Sequence, residues 1–205
     1  MLILINSLIM KLNVYLWLIG ITLFSCRGNQ EEYFRFSKIP ESLEQVLHFN
    51  DVTFNVSVKG TSSLKKITII IKSPELNDTL IRIVNGKVYG VKTGDLNNNN
   101  LPEIYAFVIG RGNNAKGSFV GYEFGSDEVV QLAFPEPNPK LMEGYMGQDS
   151  LFIQGKYLVR QFPVYNDSDL SLTPTANTRV IEYSLDDSHP YKDIRLLHLE
   201  NSYVK

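Results

Sequence analysis

Two loops hold the residue types and spacings that could do chemistry. The first is Gly94-Asp95-Leu-Asn97-Asn-Asn99-Asn100-Leu-Pro-Glu103. Its oxygen-bearing side chains alternate as D-x-N-x-N, the spacing at which a hard cation collects ligands. The pattern then breaks, because Asn100 stands where a calcium loop needs glycine and Ala106 where it needs a bidentate Glu. An asparagine-rich connector between strands accounts for the same residues, since Asn tolerates the left-handed region and closes turns with its side chain. No bound metal is expected here. The second loop is Gly110-Arg-Gly-Asn-Asn-Ala-Lys-Gly-Ser118, which interleaves glycine and asparagine with two cations, Arg111 and Lys116. It reads either as a solvated connector or as a projecting loop that offers Arg111, Lys116 and Ser118 to a partner's cleft. An acidic cleft would suit it.

Little else in the chain supports catalysis. His48, His189 and His198 are scattered, and no two stand at helical metal-ligand spacing. His48 precedes a strand, His189 precedes Pro190, and His198 lies in the tail, so each reads as a surface or packing residue. There is no G-x-S-x-G elbow, no P-loop and no G-x-G-x-x-G. Cys26 is the single cysteine, which excludes an internal disulfide framework and a zinc site built on several thiolates. The expectation is a binding protein without turnover or cofactor, not an enzyme.

The elements that must position these loops are strands. Asp51–Val58 alternates polar and apolar residues at period 2, and Lys66–Lys72 is a second, more buried run. Leu80–Val84 and Lys87–Val91 flank Asn85-Gly86, a hairpin signal of type I′. Phe119–Phe124 and Glu128–Phe134 flank Gly125-Ser126-Asp127, and Ser150–Ile153 and Lys156–Phe162 flank Gln154-Gly155. Ile104–Ile109 and Arg179–Leu185 also fit strands. Such punctuation predicts an all-β, antiparallel β-sandwich of about eight to nine strands. Pro40–Leu47 is the one helical candidate, with Pro near the first turn and Leu43, Val46 and Leu47 on one face. The tail 186–205 reads as neither.

The chain has 205 residues, with 20 Lys+Arg against 22 Asp+Glu and 43% apolar residues. The charge balance argues against a nucleic-acid binder, and the apolar and aromatic content against a disordered chain. The length suits one domain and a short targeting segment. Residues 1–25 carry one charge, Lys11. With a start at Met10, Lys11 is a positive n-region and Val14–Phe24 an apolar h-region too short to anchor by itself. Leu23-Phe24-Ser25-Cys26 then resembles a bacterial lipobox, in which acyl chains on Cys26 do the anchoring. The alternative is a plain transmembrane anchor. Arg27 after the cysteine points, by analogy with known lipoproteins, to the outer membrane. Residues 26–38 form a lipidated cysteine and tether, and 39–205 a single domain.

Further runs carry a family resemblance. They are Gly144-Tyr-Met-Gly-Gln-Asp149, Leu158-Val-Arg-Gln-Phe-Pro-Val-Tyr165, Pro174-Thr-Ala-Asn-Thr-Arg179 and Ile181-Glu-Tyr-Ser-Leu185. With Gly94–Asn97 and Leu101–Tyr105, their order and wording resemble the bacterial periplasmic inhibitors of I-type (invertebrate-type) lysozyme. The resemblance spans about 45–185. It implies a β-sandwich that is secreted or lipid-anchored, often homodimeric, and blocks the lysozyme cleft with a Ser-Gly-Ser-Tyr-like loop. The corresponding stretch here is Lys116-Gly117-Ser118-Phe119, with Tyr122 further on. Lys116 replaces the first serine and Phe119 the tyrosine. The resemblance therefore assigns lysozyme binding to Lys116, Gly117, Ser118, Phe119 and Tyr122, and the chemistry of the basic loop adds Arg111 as a bidentate contact. A second reading keeps the fold and gives the altered loop another protein or glycan as partner. Tyr145, Arg160, Phe162, Tyr165 and Arg179 are expected to hold the fold, with the arginines paired to Asp149 or Glu182.

Overall fold

The computed structural model describes residues 39–61, 63–125, 128–135, 138–166, 173–186 and 194–205. The leader, Cys26, the tether, the turn residues 126–127 and His189 lie outside the described residues. Among those described, alternation at period 2 yields twelve strands and one short 3₁₀ turn at Pro139–Met142. No helix among them is long and apolar enough to cross a membrane.

The strands fall into three four-stranded antiparallel units. The first is β1 (Leu43–Phe49), β2 (Val52–Gly60), β3 (Leu64–Lys72) and β4 (Asn77–Asn85). The second is β5 (Lys87–Gly94), β6 (Glu103–Ile109), β7 (Gly117–Phe124) and β8 (Val129–Ala133). The third is β9 (Ser150–Gln154), β10 (Tyr157–Tyr165), β11 (Pro174–Leu185) and β12 (Ile194–Val204). A short parallel pairing of β12 with β8 joins the second and third units into one eight-stranded sheet.

The all-β, sandwich-like class holds, and four details of the expectation need correction. The strands number twelve, not eight or nine. The expected helix at Pro40–Leu47 is strand β1, paired residue for residue with β2 from Leu43↔Val58 to Phe49↔Val52. Leu43 and Leu47 lie on one face at both the helical and the strand period, and the tight turn at Asn50 (φ 47°) decides for the hairpin. Asn85-Gly86 does not close a hairpin, because β4 pairs with β3 and β5 with β6. Gly86 (φ 141°) instead carries the chain from one sheet to the other, and a Cβ there would sit 2.4 Å from the Ile109 carbonyl oxygen. The tail forms β12, antiparallel to β11.

Two cores follow from this layering. Phe54, Val56, Ile67 and Ile69 of the first sheet meet Ile104, Ala106 and Val108 of β6. Tyr105 and Phe107, on the other face of β6, meet Leu158, Phe162, Ile181 and Tyr183 of the third unit. Every residue of β6 is therefore buried. Each apolar side chain so covered contributes about 1.5–3 kcal/mol relative to exposure.

A charged clasp closes the entry to the first sheet. Lys65, buried on the inner face of β3, donates to the Glu41 carbonyl oxygen at 2.6 Å and to its carboxylate at 2.7 Å. Lys87 lies 3.5 Å from the same carboxylate. The Lys65 hydrogen bond and charge hold the Glu41 carboxyl below its ordinary range. A carboxylate depressed in this way stabilises the fold while ionised, and that contribution fades as pH falls through the depressed value. Glu41→Gln is expected to lower Tm slightly at neutral pH. The gap to the native chain closes as acidification protonates the depressed Glu41 carboxyl, as read by thermal melts across pH.

Candidate functional site

The 110–116 loop leaves β6 and returns into β7. The Gly110 amide donates to the Lys116 carbonyl at 2.9 Å and closes its base. Arg111 and Lys116 are exposed along it. Beside the loop lies an open depression of about 400 Å³, lined by Ile39, Lys87, Ile109, Arg111 and Gln148 among others. Its lining mixes the aliphatic Ile39 and Ile109 with two cations, Lys87 and Arg111.

A second segment braces the loop from below. In the run 144–149, Gly144 (φ 71°), Gly147 (φ 88°) and Gln148 (φ 62°) all adopt positive φ. That backbone brings Gln148 against the loop, where its amide donates to the Ala115 carbonyl at 2.5 Å and its side chain to the Asn113 carbonyl at 3.1 Å. Gly147 approaches so closely that a Cβ there would lie 2.6 Å from the Asn114 carbonyl oxygen. A glycine forced both by φ and by contact tolerates no side chain. Gly147→Ala is expected to cost about 1–3 kcal/mol, read as a lower Tm. The 110–116 amides should also exchange hydrogen faster.

The brace is fixed in turn by a buried polar cluster. The Arg160 Nε donates to Asp149 at 2.6 Å and Nη2 to the Tyr145 hydroxyl at 2.9 Å. The Tyr145 hydroxyl donates to the other Asp149 oxygen at 2.7 Å. The guanidinium also lies 4.9 Å from the Tyr145 ring centre, with the Phe162 and Phe134 rings at 5.7 and 5.8 Å. Burial, then the Asp149 carboxylate, raises the Tyr145 hydroxyl pKa, so it stays a proton donor. Asp149 is fully buried and packs on Gly117, where an added Cβ would meet its own Cβ at 2.8 Å. Tyr89 holds the backbone two residues further on: its hydroxyl accepts from the Leu151 amide at 2.8 Å and donates to the Leu151 carbonyl at 3.0 Å.

The structure separates the residues singled out in sequence. Arg111, Lys116 and Ser118 are exposed at the loop, and Gly117 is its packed hinge onto Asp149. Phe119 is a half-buried member of the second core, 4.9 Å from the Phe134 ring and 5.9 Å from Tyr105. Tyr122 is buried in the first core beneath Arg82, whose guanidinium lies 5.2 Å from its ring centre. These two aromatics serve the fold and do not stand at the loop tip. The expected Arg160–Asp149 pair is present, whereas Glu182 accepts from Asn201 and Tyr203 at 3.3 Å each. His48 lies 3.2 Å from the Thr53 hydroxyl and His198 2.6 Å from Asp186, both exposed. Sequence reasoning did not assign Gly147, Gln148 or Lys87 to the site. Two glycines flanking Tyr145 were the available signal for the first two.

The asparagine-rich loop spends its oxygens on its own turn. The Asp95 carboxylate accepts from the Asn99 and Asn100 amides at 3.0 Å, and the Asn99 side chain accepts from Leu101 at 2.8 Å. Asn97 and Asn99 point their amide nitrogens at Glu123, at 2.9 and 3.2 Å. Among the described residues no three His, Cys, Asp or Glu converge to hold a metal. Comparison with family models, with curated proteins and with solved structures finds no match to this chain.

Proposed function

We propose that the chain is a lipid-anchored envelope protein that binds an I-type lysozyme and inhibits it by placing the 110–116 loop in the active-site cleft. One observation carries this reading. Arg111 and Lys116 are exposed on a loop whose backbone is tied, through Gln148, to a segment fixed by a buried ion pair. Glycoside hydrolysis runs on two carboxylates flanking the scissile bond. The Lys116 ammonium and the Ser118 hydroxyl can donate to such carboxylates, and the Arg111 guanidinium can grip one with two parallel hydrogen bonds. A loop already held in shape loses little freedom on binding, so more of its contact energy appears as affinity. Inhibition is then occlusion, with no bond made or broken and no cofactor. The resemblance to the periplasmic inhibitors supports the same target, and the leader ending at Cys26 supports the anchor.

The second reading has its own observation. With Phe119 in the core, no tyrosine stands at the loop, and Lys116 replaces a neutral serine of the family pattern. The same fold would then present its loop to another envelope protein or glycan. The leader-free chain, Arg27–Lys205, titrated into peptidoglycan lysis by I-, C- and G-type lysozymes, decides between the two. Saturable inhibition of the I-type enzyme alone supports the first. Undiminished lysis by all three turns the search to other envelope partners.

A further inference from the structure

The outer face of β1–β4 turns away from the core that the sheet covers. Five of the eight large apolar side chains exposed among the described residues stand on it: Val46, Leu64, Ile70, Ile81 and Ile83. Exposed apolar groups gathered on one face mark a place of contact. Cations stand among them. Register sets Lys59, Lys66 and Ile83 side by side across three strands, with Leu64 and Ile81 in the neighbouring rows and Lys72 further along β3. Lys59 and Lys66 are direct cross-strand neighbours, and like charges so placed repel. Glu44, the one carboxylate these strands turn outward, lies 2.9 Å from Lys59. Among the described residues no carboxylate answers Lys66. The acidic turn residues Asp51 and Glu75 lie at the other end of the sheet. The chain enters at the Lys66 end, where Glu41 holds Lys65 at 2.7 Å. Residues 27–38, which separate Ile39 from Cys26, reach about 40 Å at full stretch.

We propose, resting on the lipid anchor at Cys26 but not on the lysozyme target, that this face lies on an anionic bilayer surface. The aliphatic side chains enter the headgroup boundary while Lys59, Lys66 and Lys72 meet lipid phosphates, and the two attractions add. A flat sheet face needs a flat partner and Lys66 needs an anion; anionic headgroups supply both. The anchor makes the contact intramolecular, so a face too weak to hold a bilayer alone is occupied once the chain is tethered. The 110–116 loop belongs to the sheet on the other side of the first core, so the contact leaves it uncovered.

Thiol labelling of the full-length chain, purified from membranes and placed in vesicles, tests this. Ile83→Cys puts a thiol on the face and Lys156→Cys puts one in the β9–β10 turn. The native chain, with Cys26, sets the background, and each rate is taken relative to the same variant in denaturant. In phosphatidylglycerol vesicles a water-soluble maleimide should label Ile83→Cys about ten-fold more slowly than Lys156→Cys. Adding Lys66→Glu and Lys72→Glu should restore fast labelling while the chain still floats with the vesicles. Its Tm should hold, because both lysines are exposed. Vesicles of neutral phosphatidylcholine should protect Ile83→Cys less. Flotation reports the anchor separately. A chain that floats yet labels equally at both positions overturns the face contact and leaves the anchor standing, whereas a chain that does not float overturns both. Equal protection of Ile83→Cys in neutral vesicles would place a second copy on the face and overturn the proposal too.

Discussion

Lys116→Glu combined with Ser118→Ala is expected to abolish most inhibition of an I-type lysozyme, with Kd rising about 30-fold or more. That factor is the ~2 kcal/mol of a binding hot spot. The reasoning is electrostatic. A cleft that cleaves glycosides holds carboxylates, so a glutamate brought to it meets like charge, and removing the hydroxyl removes the neighbouring donor. Both side chains are exposed and outside either core, so the Tm should stay within a degree or two of the native chain. Lysis assays paired with thermal melts make the check. Reversal by high salt gives a second reading, because a rim charge acts partly through a screened field. If the variant inhibits as well as the native chain, this loop is not the contact.

Arg160→Ala is expected to have the largest effect on stability, a loss of about 3–5 kcal/mol. Asp149 is buried without exposure, and Arg160 supplies it with both charge and a hydrogen bond. Removing the guanidinium leaves a carboxylate in an apolar surround, held only by the Tyr145 hydroxyl. For a domain of this size the loss corresponds to roughly 10 °C or more in Tm. Replacing both partners by apolar residues, Arg160→Met with Asp149→Leu, should cost less than Arg160→Ala alone, because no buried charge is stranded. The functional consequence is indirect. Asp149 packs on Gly117, and Gln148 ties the loop, so the single variant should also speed amide exchange across 110–117. Denaturant melts and hydrogen exchange read the two effects separately.

Much of the fold was legible because period-2 alternation and glycine punctuation are local signals. Gln154-Gly155 closes β9 on β10 as the spacing predicts, with Gly155 at φ 60°. The failures came where local signals are degenerate. Leu43 and Leu47 satisfy a helix and a strand alike, so β1 looked helical. Asn85-Gly86 has the right residues for a turn, but the partners of β4 and β5 are set by distant strands, β3 and β6. β12 hid because its partners are β11 on one side and, in parallel, β8 on the other.

The candidate site was legible by composition and hidden in its support. Glycine, asparagine and two cations mark the 110–116 loop without any structure. Its brace lies some thirty residues away in sequence, and only the β-layering brings Gly147 and Gln148 against Ala115. Phe119 and Tyr122 were assigned by family pattern. Strand alternation alone places them on opposite faces of β7, and each face is already covered by a core.

Competition for the cleft tests the central claim most directly. Binding of the leader-free chain to an I-type lysozyme would be measured by calorimetry at rising concentrations of a chito-oligosaccharide that fills the enzyme's substrate subsites. The account predicts an apparent Kd that rises in proportion to the oligosaccharide, because loop and sugar need the same space. An affinity that stays constant with the cleft occupied would contradict it.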